Sequence, residues 1–172
     1  MRRAMTGIAV ALVVLALLGV GLRFYMERAA ENGLLPGEAV GIRELRPPLP
    51  GNAALACPPG YCAVVDALPS PVFAVPAERL RECWSAAIAG EPRVTPLAAA
   101  GGPERVVAIQ RSSLLRFPDI VTAEFVALAA DRSSLAIYSR ARYGKSDFGV
   151  NRRRIEAWLM RLRECTGAPV SG

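Results

Sequence analysis

The chain has 172 residues, of which 52% are apolar, 21% charged and 6% aromatic; the length suits one domain of ~100–200 residues, and the composition excludes a disordered polyelectrolyte, which is poor in apolar residues. Histidine is absent, which excludes Ser-His-Asp and Cys-His catalysis and His-ligated metal sites. The formal net charge of +6 is local, because residues 132–163 hold nine bases and two acids while the other 140 residues hold 12 bases and 13 acids. A basic segment of this kind attracts acidic partners and lipid headgroups through its long-range field. Arginine dominance, with Lys145 the single lysine in an Ala-, Gly- and Pro-rich chain, is also what a GC-rich genome produces.

Met1-Arg2-Arg3 precedes Ala4–Leu22, a stretch of 19 uncharged residues in which Thr6 is the polar exception. At 1.5 Å per residue such a helix spans the ~30 Å hydrocarbon core of a bilayer. A cleavable signal peptide has a shorter apolar region, ~7–15 residues, followed by an A-x-A-like site. Here the stretch runs directly into Gly19-Val20-Gly21-Leu22-Arg23-Phe24-Tyr25. Residues 1–28 are therefore expected to be an uncleaved signal anchor, with a cleaved signal peptide as the alternative. Phe24 and Tyr25 suit the headgroup level, where amphipathic aromatics are enriched. A short amino-terminal tail stays cytoplasmic, so the expectation is a single-pass protein of the inner (cytoplasmic) membrane with its C-terminal domain in the periplasm. The even number of cysteines, four, without a C-x-x-C, suits an oxidising compartment.

Residues 29–75 read as a Pro-rich tether and extended arm, punctuated by Pro36, Pro47, Pro48, Pro50, Pro58, Pro59, Pro69 and Pro71 at intervals that no helix tolerates. Within it, Cys57-Pro-Pro-Gly-Tyr-Cys62 folds a compact turn between two cysteines, and a Cys57–Cys62 disulfide is expected. Zinc needs four ligands and no second closely spaced pair exists, so neither metal nor cofactor is expected.

Residues 76–167 carry regular periodicity. Pro76 suits a first helical position, and Leu80, Cys83, Trp84, Ala87 and Ile88 form one apolar stripe that ends at Gly90. Four strand-like stretches follow, Arg93–Ala98, Arg105–Arg111, Ile120–Ala129 and Ser134–Tyr143, joined by short connections containing Gly101-Gly102-Pro103, Pro118 and Asp131-Arg132-Ser133. A last helix over about Asn151–Cys165 presents Ile155, Trp158, Leu159 and Leu162 on one face and stops at Gly167. This order predicts an α+β two-layer sandwich, a roughly four-stranded antiparallel sheet with two helices on one face. Trp84 and Trp158 are expected as packing anchors. Cys83 and Cys165 fall on the apolar helix faces, either as buried thiols or as an inter-helix bridge.

Ser139-Arg-Ala-Arg142-Tyr-Gly144-Lys-Ser-Asp147-Phe-Gly149-Val-Asn151-Arg-Arg-Arg154-Ile155 resembles the signature of the domain-of-unknown-function family numbered 1499, S-x-S-R-x-G-x-S-D-x-G-x-N-x-x-R-I. Phe117-Pro118-Asp119 resembles that family's F-x-D element, and Cys57-Pro58 with Cys62-Ala63-Val64 its C-P…N-C-V element. Tyr61 replaces the Asn expected before the second cysteine, and Arg140-Ala141 inverts the small and charged positions before Arg142. The resemblance covers roughly residues 50–165. It implies an uncharacterised envelope- or plastid-associated domain of bacterial type, and supplies no activity.

Read physically, this segment is a strand, a glycine-bearing turn and a helix start. Gly144 and Gly149 suit positive φ or close backbone approach, and Asp147 and Asn151 are both suitable N-caps. One expectation is a buried polar clasp of Asp147, Asn151, Arg142 and Arg154 between the last strand and the last helix, with Arg142 and Arg154 flanking Asp147. The alternative is an anion or lipid-headgroup site at the helix N-terminus, surrounded by Arg140, Arg142, Lys145 and Arg152. With no catalytic constellation, the chain reads as a non-enzymatic interaction or assembly factor of the cell envelope. Its expected partners are the membrane and an envelope protein or anionic lipid, and nucleic acid is not expected. The alternative is a binding module for a lipid or small anion, using the sheet face that the helices leave open.

Overall fold

The computed structural model describes residues 2–31, 33–35, 37–97 and 105–167. Pro36, Ala98 and the Gly101-Gly102-Pro103 connection lie outside the described residues. Helix α1 (Arg2–Glu31) contains one span, Met5–Arg28, apolar enough to cross a membrane, with a mean hydropathy of 2.5 over its most apolar stretch, none of which is buried. The helix does not stop at the end of the apolar stretch. It continues past Leu22, where the Arg28 guanidinium lies 4.7 Å from the Phe24 ring centroid.

The remaining elements are a 3-10 turn (Ile42–Glu44), β1 (Ala53–Cys57), β2 (Leu68–Pro69), α2 (Ala77–Ala89), β3 (Val94–Leu97), β4 (Arg105–Arg111), β5 (Pro118–Ala129), β6 (Arg132–Ala141) and α3 (Val150–Thr166). They form one α+β unit around a mixed sheet of order β2-β1-β6-β5-β4-β3. The β1–β2 pair is parallel and the other pairs are antiparallel. Six strands thus replace the four expected. The two additional ones come from the Pro-rich arm, where prolines hide the short apolar run 53–57. Ala53–Ala56 pairs with Ile137–Arg140 of β6, so β1 is an interior strand.

Helices α2 and α3 cover one face. Leu80, Trp84 and Ile88 from α2 and Ile155, Trp158 and Leu162 from α3 pack on Val121, Ala123 and Phe125 of β5 and Leu135 and Ile137 of β6. The two tryptophans are the anchors of this layer. Trp84 meets Trp158 edge to face at 5.3 Å and Phe125 at 6.3 Å, the geometry in which ring edges meet ring faces. Cys83 and Cys165 join the two helices at disulfide distance, with Cα atoms 5.8 Å apart. Cys57 and Cys62 also stand at disulfide distance, with Cα atoms 6.2 Å apart.

The opposite face of the sheet is not open, contrary to the expectation of a two-layer sandwich. Ile42, Leu45 and Leu49 from the arm, with Tyr61, Cys62, Val64 and Ala67, pack on Leu55, Cys57, Ala136 and Tyr138. Leu34 packs beside Val107, Ile109 and Ile120. Because both faces are covered, Pro118–Phe125 is buried without alternation, and polar residues are carried into the interior. Glu124, 6% exposed, accepts hydrogen bonds from the Ile42 N–H at 3.1 Å, Arg105 Nε at 2.9 Å and the Tyr61 hydroxyl at 3.0 Å. A buried carboxylate is tolerated when donors surround it in this way. Glu124 is thereby the pin that fixes the arm to the sheet.

Ile42 is fully buried, so Ile42→Ala should cost ~2–5 kcal/mol in denaturant unfolding of the detergent-solubilised chain. A free tether would lose almost nothing. Non-reducing peptide mapping should recover the Cys83 peptide joined to the Cys165 peptide, and free alkylation of both thiols would contradict that pairing.

Candidate functional site

The strongest polar constellation lies where β1, β5 and β6 meet the start of α3. The chain leaves β6, turns through Gly144 at φ 90° and enters α3 through Gly149 at φ 76°. At Gly149 a side chain would be strained by the left-handed backbone, and its Cβ would come within 3.1 Å of Arg153 Nη1. Asp147 closes the turn by accepting the Gly149 N–H at 3.0 Å and the Asn151 N–H at 2.7 Å. It therefore supplies the capping acceptor for the first turn of α3, whose N-terminal amides otherwise lack partners. Burial raises the Asp147 carboxyl, but the two amides outweigh it and hold the group below its ordinary value.

Asn151 is not a cap. It sits inside the helix, fully buried, at the junction of three elements. Its Nδ2 donates to the Asn52 carbonyl at 3.0 Å, and its Oδ1 accepts from the Ser139 hydroxyl at 2.6 Å and from Arg154 Nη1. Arg154 also donates to Ser139 Oγ at 2.9 Å and forms an ion pair with Asp119 Oδ2 at 2.6 Å. Desolvation raises the Asp119 carboxyl, and the charge and hydrogen bond of Arg154 offset this only in part. Asn52 completes the junction, donating from Nδ2 to the Gly144 carbonyl at 2.7 Å and the Ala141 carbonyl at 3.3 Å.

Arg142 lies elsewhere. Instead of flanking Asp147, it forms a bidentate pair with Glu38, Nε to Oε1 at 2.9 Å and Nη2 to Oε2 at 2.6 Å, and Nη2 also donates to the Gly33 carbonyl at 2.7 Å. Arg140 Nη2 lies 3.6 Å from the same carboxylate. Burial raises the Glu38 carboxyl, but the Arg142 hydrogen bond, the Leu35 N–H and the two guanidinium charges together hold it below its ordinary value. The expected clasp is thus divided in two. Arg154, Asn151 and Asp119 tie helix to sheet, whereas Arg142 grips residues just beyond α1.

The four cations expected to surround an anion do not converge. Arg140 and Arg142 face Glu38, Arg152 pairs with Glu156 at 3.0 Å, and Lys145 is exposed on the turn. The first turn of α3 already holds the Asp147 carboxylate. Beside the turn runs a groove of about 450 Å³, walled by Leu49, Leu55 and Val65 and bordered by Asp147 and Arg152. Among the described residues no group of three Cys, Asp or Glu side chains is placed to hold a metal ion.

Sequence reasoning missed Asn52, Glu38 and the role of Ser139. Gly51-Asn52 after Pro50 carries a turn signal, but the acceptor that Asn151 meets is the Asn52 main-chain carbonyl, which no residue type marks. The arm's Glu38 carries no local signal, because its partner is 104 residues away.

Residues 68–162 match the family model described as Protein of unknown function (DUF1499), and the chain belongs to that family. The match includes Asp119, Ser139, Arg142, Asp147, Asn151 and Arg154, whereas Glu38 and Asn52 precede it. No curated protein and no solved structure matches the chain.

Asn151→Ala strips partners from Asn52, Ser139 and Arg154 and should cost ~1–3 kcal/mol for each buried group left unsatisfied, read as a lowered denaturation midpoint. Glu38 and Asp147 are lowered in the folded state, so their stabilisation is complete above the unfolded value near pH ~4 and is lost as pH falls through their folded values. Asp119, being raised, acts with the opposite sign. Stability should therefore fall below pH ~4, and Glu38→Gln should flatten that dependence in a pH series of thermal midpoints.

Proposed function

We propose that this DUF1499 family member is a single-pass protein of the inner membrane whose C-terminal domain stands in the periplasm and acts as a non-enzymatic interaction or assembly factor of the cell envelope. One observation carries the reading. Arg142 of the family motif binds Glu38 and the Gly33 carbonyl, residues within seven positions of the end of α1, so the motif fixes the domain close to its anchor. The other charges of the motif are occupied in the same structural way. Arg154 is held by Asp119 and Asp147 by the backbone of α3. Two cysteine pairs at disulfide distance favour an oxidising compartment.

A reporter active only outside the cytoplasm, fused after Gly172, should be active, and the protein should sediment with membranes at full mass. A soluble product lacking about two dozen residues would establish a cleaved signal instead. Crosslinking in native membranes followed by purification should recover one or more envelope proteins in comparable yield. Recovery of the chain alone would contradict the assembly role.

A further inference from the structure

The strand registers gather several loops at one end of the sheet. Arg111 pairs with Pro118, Asp119 with Ala141, Ala53 with Arg140 and Val94 with Gln110. The loop between β4 and β5 and the loop between β6 and α3 therefore lie side by side, joined by an edge-to-face contact of Phe117 and Tyr143 at 6.4 Å. Three independent features coincide there.

The first is contact with the anchor. Arg23, the first charge after the uncharged stretch Ala4–Leu22, donates to the Leu114 carbonyl at 3.3 Å, and Glu27 forms an ion pair with Arg116 at 2.9 Å. Leu114 thus stands at the level where the apolar helix gives way to polar residues.

The second is exposed apolar surface. Leu114 is 74% exposed and Phe148 is 89% exposed, and neither covers any part of the core. Phe148 is also held at φ 52° and Arg116 at φ 60°, left-handed conformations that are costly for large side chains and are retained where a site demands them.

The third is charge. Arg93, Lys145, Arg152 and Arg153 are exposed around this end. The neighbouring acids Asp119, Asp147 and Glu38 are taken up by internal partners, Arg152 shares its charge with Glu156, and the exposed Asp66 is a further acid beside Arg152 in the groove.

Isolated apolar side chains ringed by cations are the chemistry of an interfacial membrane contact, in which apolar groups enter the headgroup–acyl boundary and bases meet anionic headgroups. We infer that this end of the sheet rests on the bilayer that α1 crosses, with Leu114 and Phe148 entering the interface and Lys145 and Arg152 facing anionic lipid. The inference rests on α1 being inserted in a membrane, as proposed above, and adds that the domain lies against that membrane on a defined face.

The test uses the full chain in nanodiscs of phosphatidylcholine and phosphatidylglycerol. Leu114→Cys, Phe148→Cys and Asp131→Cys each add one thiol for a nitroxide, with Asp131 at the far end of the sheet as the aqueous reference. Labels at 114 and 148 should collide several-fold more with dissolved oxygen, relative to a water-soluble nickel chelate, than the label at 131. If all three labels are equally chelate-accessible in nanodiscs that carry the protein, the lipid-facing end is refuted while the anchor stands, because incorporation itself reports insertion. A chain that stays free of nanodiscs refutes both. Adding Lys145→Glu and Arg152→Glu should move the 148 label towards the aqueous signature in the anionic nanodiscs. An unchanged depth there overturns the anionic contact.

Discussion

The buried amide of Asn151 is the constraint on which the fold turns. A fully enclosed Asn must find partners for both its donor and its acceptor, and here those partners come from the residue before β1, from β6 and from within α3. Satisfying that one side chain sets the depth at which α3 enters the sheet. It also sets the lateral position of β1, because Asn52 is held at the same point by two further carbonyls. Arg154 extends the junction to β5 through Asp119. A network of this kind is costly when incomplete and specifying when complete, which explains why so many residues of the family motif are polar yet hidden.

The second organising fact is that the sheet is covered twice. Helices α2 and α3 supply the thick layer, built on the two tryptophans, and the arm supplies a thin one, built on Ile42 and pinned through Glu124. The arm makes little regular structure, yet it leaves Thr122, Glu124 and Tyr138 almost inaccessible. Burial together with the neighbouring Glu124 charge raises the Tyr61 hydroxyl above its ordinary value.

Much of this was legible in the sequence where local pattern decides. The apolar stripe after Pro76, the bounds of β4 and the stripe Ile155–Leu162 follow from periodicity, and each is found within a residue or two of its expected place. What escaped was non-local. Ala53–Cys57 is short and framed by prolines, so its strand character comes from pairing with β6 and from no propensity of its own. Glu124 reads as the solvent-side residue of an alternating strand until something covers that side. The motif revealed its capping aspartate and its glycines, because those roles are set within a few residues. Glu38, the partner of Arg142, and Asn52, one partner of Asn151, lie 104 and 99 residues away, beyond what spacing can show.

The grip of Arg142 on Glu38 also bears on how such a domain meets other molecules. Glu38 follows the last residue of α1 by seven positions, which even fully extended reach only about 25 Å. A domain held on so short a leash does not explore the aqueous space around it. With α1 inserted in a membrane, as proposed, its encounters are confined to a thin sheet above the lipid, where searching is two-dimensional and the local concentration of neighbours anchored in the same plane is high. Weak, shallow contacts suffice for association under those conditions, and the geometry favours neighbours that share the membrane over those that diffuse freely.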